Sequence, residues 1–129
     1  MPAAPAPAAV AASAEAARFA DQLERSFRGG AWQGPSVTEA LADVSAAAAL
    51  RRPIAGGHNI RELVFHLNFW LDAARRRIEG EAVDGSVPEA DWTREKEGKG
   101  ANEATWKTAL AELGESHRRL HATVLALDA

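Results

Sequence analysis

Trp106, Leu110, Leu113, His117, Leu120, Val124 and Leu127 advance along the last part of the chain in alternating steps of four and three residues. An α-helix of 3.6 residues per turn gathers such positions into one stripe, and the four-three alternation is the seam spacing of helices packed at a shallow angle. One striped helix is marginal in water, so the pattern demands partner helices. No alternating strand pattern, hairpin signal or internal repeat occurs anywhere else in the 129 residues. The fold class that follows is all-α, a helical bundle.

The partners are legible from their punctuation. A first helix is predicted from Ser13 to Arg28, with Ala16, Phe19, Ala20, Leu23 and Phe27 on one face and Gly29-Gly30 as its stop. A second starts after Gly34-Pro35, where Ser36 and Glu39 form a capping box, carries Val37, Leu41 and Val44, and stops before Pro53. A third runs from the N-cap Asn59, with Glu62 three residues on, to Glu79 before Gly80. Its apolar face is predicted to be Ile60, Leu63, Val64, Leu67, Leu71, Ala74 and Ile78, with Phe65 and Phe69 turned away from it. Residues 80–101 read as a polar connector in which Trp92 is expected to plug into the body. The fourth helix begins near Asn102 and reaches the C-terminus.

Composition narrows the function classes. Hydrophobic residues make up 47%, but about half of them are alanine, so the core must rest on the larger side chains. A net charge of −3 with scattered basic residues argues against nucleic acid as a ligand. The absence of cysteine excludes disulfides, thiolate metal sites and a cysteine nucleophile. Residues 1–11 read as a flexible Pro/Ala-rich leader without the basic start of a signal peptide, followed by one helical domain over 12–129. No apolar run is long enough to span a bilayer, and the expectation is a cytoplasmic protein with no membrane partner.

The chemistry sits in the histidines. His66 lies in "IRELVFHLNFW", at the flank of its helix's apolar face beside Glu62 and Trp70, where it must hydrogen-bond, bind a metal or face water. In "HRRLH", His117 and His121 stand one turn apart, a spacing that lets two imidazoles share one ion. The bland alternative is that His117 is a satisfied core residue in the seam, with His121 on its rim. His58, just before the N-cap, reads as a loop residue. Arg75-Arg76-Arg77 in the last turn of the third helix oppose the negative end of the helix dipole. No phosphate-cradling glycine loop, nucleophile elbow or HExxH motif is present.

The segments "AWQGPSVTEAL", "GGHNIRELVFHLNFWLDAARRRIEG", "DW" and the "W" leading into "LAELGESHRRLHATVLAL" together resemble the DinB/YfiT-like superfamily of bacterial helical-bundle proteins. The resemblance implies a four-helix bundle of up-down-down-up connectivity, often a homodimer, with a three-histidine divalent-metal site. One ligand position of that family matches His66. The other two form an HxxxH on the family's last helix, whereas the segment holding His117 and His121 resembles its third long helix, and the chain ends where the last would follow. Truncation, completion of the bundle by another subunit and loss of the site are the three explanations this leaves. The resemblance implies a metal-dependent hydrolase or thiol S-transferase acting on a small molecule, with zinc, nickel or manganese as the ion. Within it His66, His117 and His121 are the candidate ligands, and Glu62 is a candidate base or a partner that orients a ligand. The alternative is a non-catalytic dimeric bundle, stress-associated or regulatory, whose histidines are structural.

Overall fold

A computed structural model describes residues 13–84 and 101–127. Its helices are α1 (Ala14–Arg28), α2 (Val37–Leu41), α3 (Ala46–Leu50), α4 (Ile60–Ile78) and α5 (Glu103–Leu125), with no strand among the described residues. The 1–11 leader and residues 85–100 of the connector, Trp92 among them, lie outside the described residues.

Each helix begins where a short polar side chain can take an orphan backbone N–H. Ser13 accepts from Ala16 N–H at 3.0 Å and Asn59 from Glu62 N–H at 2.8 Å. At α5, Asn102 accepts from Thr105 N–H while the Thr105 hydroxyl accepts from Asn102 N–H, a reciprocal capping box.

The predicted second helix is two. Ser45 interrupts it, leaving the helical region (φ −77°, ψ 164°) to cap α3 by accepting from Ala48 N–H at 3.1 Å. The backbone groups freed by the break are satisfied from α5. The Trp106 indole donates to Val44 C=O at 2.8 Å, and the Glu103 carboxylate accepts from Ala46 N–H at 2.9 Å. A continuous helix would have used both backbone groups internally.

α5 is the central element, packed against α1 on one side and α4 on the other. Ser116 donates to Asn68 at 2.6 Å and Thr123 to Glu79 at 3.3 Å, so numbers ascend together and α4 and α5 run parallel. Glu24 faces His117 while Arg28 shares a groove with Lys107, so α1 runs antiparallel to α5. The three long helices are therefore up, down, down. Parallel neighbours need a crossover between Ile78 and Glu103.

The core joins Phe27, Ala46, Ala49, Val64, Phe65, Trp106, Ala109 and Leu113, with Val37, Leu41, Val44, Leu67, Leu71 and Leu110 against it. The α5 seam is borne out from Trp106 to Leu120, but Leu127 lies past the helix end and is 40% exposed. On α4 the buried face is rotated from the expected one: Phe65 is 2% exposed and Leu63 is 50% exposed. The α4 sequence is apolar on several sides, so which side is buried depends on where α3 and α5 pack. On α1, Ala16, Ala20 and Phe27 are buried while Phe19 stands 61% exposed.

Candidate functional site

Glu62 occupies the first turn of α4, where the positive end of the helix dipole favours a carboxylate. It is 5% exposed, and both of its oxygens are engaged. Arg52 Nη2 donates to Oε1, and His58 Nδ1 meets Oε2 at 2.6 Å. Arg52 also donates to Gly57 C=O at 3.0 Å, so the three side chains clamp the α3–α4 loop onto the start of α4. Burial alone would raise the Glu62 pKa, but the hydrogen bonds and positive charge of His58 and Arg52 outweigh it and hold the carboxyl below its usual value. A buried carboxylate tied down in this way is suited to fixing a loop; a general base works best near the operating pH.

His66 is one turn further along and half-buried. The Trp70 indole N–H donates to its Nε2 at 3.0 Å, with the rings edge-to-face at 6.0 Å. An indole nitrogen can only donate, so Nε2 carries a lone pair and the ring is neutral there. Burial, and then the neighbouring His58, lower the His66 pKa and reinforce the neutral form. Arg77 lies over the Trp70 ring at 5.6 Å. Leu63, His66, Trp70 and Arg77 thus form one stripe of α4, roughly 180° around the helix from Phe65, Asn68 and Asp72, which face α5.

His117 is 1% exposed, in the α1–α5 interface. Its ring stacks on Phe27 at 4.0 Å and 5°, and Nε2 lies 3.7 Å from Glu24 Oε2, beyond hydrogen-bonding range. Neither ring nitrogen makes a hydrogen bond of good geometry, although the Leu23 backbone lies close enough to favour the protonated ring. Burial lowers its pKa, opposed by Glu24 and the Leu23 backbone and assisted by Arg28 and His121. His121 follows one turn on, half-buried, its ring centroid 6.1 Å from that of His117.

The structure therefore brings His117 and His121 together, and places His66 on a stripe of α4 that does not face them. Among the described residues no group of three His, Asp or Glu side chains is arranged to hold a metal ion. The three histidines do not fit one ion as a set. His66 and His121 are both half-buried histidines, on separate helices. The α4–α5 groove, about 530 Å³, is lined by Asn68, Asp72, Glu112, Glu115 and Arg119 but holds no histidine. Arg118, and then Arg119, hydrogen-bond Glu115 and hold its pKa down at about 2.

Arg52 and Glu24 were not legible as site neighbours. Arg52 reaches Glu62 across a loop, and Glu24 meets His117 only because α1 docks antiparallel to α5. Neither relation has a fixed spacing along the chain.

The model of the DinB superfamily matches residues 31–129. No curated protein and no solved structure matches the chain. No helix among the described residues is long and apolar enough to cross a membrane.

Proposed function

The chain belongs to the DinB superfamily, and from that premise we propose that it is a divalent-metal-dependent member in which α4 presents His66 as a ligand while His117 and His121 are structural. The observation that carries the reading is the Trp70–His66 hydrogen bond, which holds Nε2 in the lone-pair-bearing form a metal takes. Trp70 must yield that nitrogen when an ion binds, because the other ring nitrogen carries the proton. The remaining ligands would come from a segment packed on the Leu63–His66–Trp70 stripe.

A bound ion polarises a substrate oxygen or lowers the pKa of water or a thiol, which makes hydrolysis or thiol S-transfer on a small molecule the reaction class. In this chain, the Glu62–Arg52–His58 clamp would fix the start of α4 and with it the position of His66 one turn away.

The test is elemental analysis of untagged protein, before and after incubation with zinc, nickel or manganese. The parent should hold near-stoichiometric metal, His66→Ala should lose it, and the His117→Ala/His121→Ala double variant should keep it. A parent that stays metal-free, or a double variant that alone loses the ion, would overturn the assignment.

A second reading, a non-catalytic bundle that pairs with a second copy, is favoured by the 50% exposure of Leu63 in mid-helix and the 61% exposure of Phe19. A metal-free parent that sediments as a dimer supports it.

A further inference from the structure

His66 and Trp70 stand one turn apart on α4, so their contact is set by the helix itself. The indole N–H of Trp70 donates to His66 Nε2 at 3.0 Å. A neutral imidazole has one ring nitrogen with a lone pair to give, and here a donor already sits on it. The usual neighbour of a ligating histidine does the opposite. It accepts a hydrogen bond from the far ring nitrogen, which orients the ring and leaves the lone pair open. Trp70 therefore competes for His66 where a carboxylate or carbonyl would have prepared it.

Using the other nitrogen does not escape the competition. With Nδ1 as the ligand, Nε2 would carry the proton, and two N–H groups would face each other. Either way the bond from Trp70 is lost. The indole is also held by its surroundings. The Phe69 ring meets it edge-to-face at 5.4 Å, and the Arg77 guanidinium lies 5.6 Å from the ring centroid. Arg77 is itself anchored, donating to Val83 C=O at 3.3 and 3.0 Å.

We propose that Trp70 is a built-in competitor that sets the metal affinity of this chain, holding His66 Nε2 closed until an ion displaces the indole N–H. The proposal rests on the reading of His66 as a ligand and adds to it the residue that limits its occupancy. Trp70 is half-buried, so the displaced N–H can bond to water, and breaking the contact costs its net value rather than a full desolvation. That value corresponds to a factor of about two to ten in an equilibrium. Only molecules with the contact open bind, so apparent affinity falls by the same factor. The factor belongs to the ion-free protein. It is therefore equal for every ion that uses His66.

The test compares the full chain with Trp70→Phe, which keeps an aromatic ring at this position and removes the N–H donor. Zinc and nickel affinities are measured for both by competition with a chromophoric chelator. Trp70→Phe should bind each ion about twofold to tenfold more tightly, by one factor for both. In the parent, the assigned Trp70 indole N–H signal should shift in step with zinc occupancy, while that of Trp106, bonded to Val44 C=O, should stay in place. Equal or weaker binding by Trp70→Phe overturns the proposal and leaves His66 as a ligand. So does a Trp70 signal unmoved at saturation, or a gain that differs between the two ions. If neither protein binds zinc or nickel, the proposal and the metal reading fall together. If Trp70→Phe fails to fold, the Trp70 signal during zinc titration of the parent decides the question on its own.

Discussion

Replacing His117 with leucine should make the protein more stable. The buried ring offers two nitrogens and neither makes a hydrogen bond of good geometry, the Leu23 backbone and Glu24 only lying close, so folding strips water from them without full replacement. An unsatisfied buried polar group costs about 1–3 kcal/mol, and leucine of similar volume removes that penalty. Leucine also loses the stack on Phe27, a contact of about 0.5–1.5 kcal/mol. The net expectation is a gain of about 1 kcal/mol at pH 7.5, read as a higher urea midpoint at unchanged m-value.

The difference should grow in acid. In the unfolded chain the histidine titrates near pH 6.5, while burial holds the folded value lower. The unfolded state therefore binds more protons, and parent stability falls as pH drops below about 6.5 until the folded pKa is passed. The slope is at most about 1.4 kcal/mol per pH unit, and His117→Leu removes it. Urea titrations of both proteins at pH 7.5 and 5.5 measure the effect. A variant destabilised by more than about 1 kcal/mol at pH 7.5, or a gap that shrinks at pH 5.5, would refute the reasoning: His117 would then have a bonded partner, an ion included.

Two further outcomes follow from the same structure. Gly114→Ala should raise stability by about 1 kcal/mol, or about 3–5 °C in Tm, because the added methyl meets nothing; a lower Tm in a calorimetric scan would show that a neighbour packs there. Glu62→Gln should lose about 1–3 kcal/mol at pH 7 by weakening its bonds to Arg52 and His58. Since the folded Glu62 pKa is lowered, that loss is fully present above about pH 4.3 and fades as pH falls through the folded value, which chemical denaturation at pH 7 and pH 3 would read.

The amino-acid sequence by itself determined the helices and most of their ends. Ser13, Asn59 and Asn102 are caps because their side chains reach a backbone N–H within one turn, a relation that needs no tertiary contact. The α5 seam was equally local, since its period alone brings Trp106, Leu113 and His117 to one face. The family was legible for the same reason: its segments are contiguous runs.

The break at Ser45 was not legible, although Ser45 is itself a cap. It depends on Trp106 and Glu103, about 60 residues away, taking over the backbone groups a continuous helix would have used. Tertiary packing likewise chose between Leu63 and Phe65 for burial, because α4 is apolar on both sides and intrinsic pattern cannot rank two apolar faces. The roles of the histidines divided along the same line. Spacing places His117 beside His121, but only the docking of α1 buries His117 on Phe27, and only the direction of the open stripe separates His66 from both. A residue's neighbours one turn away are set by the helix it belongs to. Its neighbours across an interface are set by the way the helices close over the core.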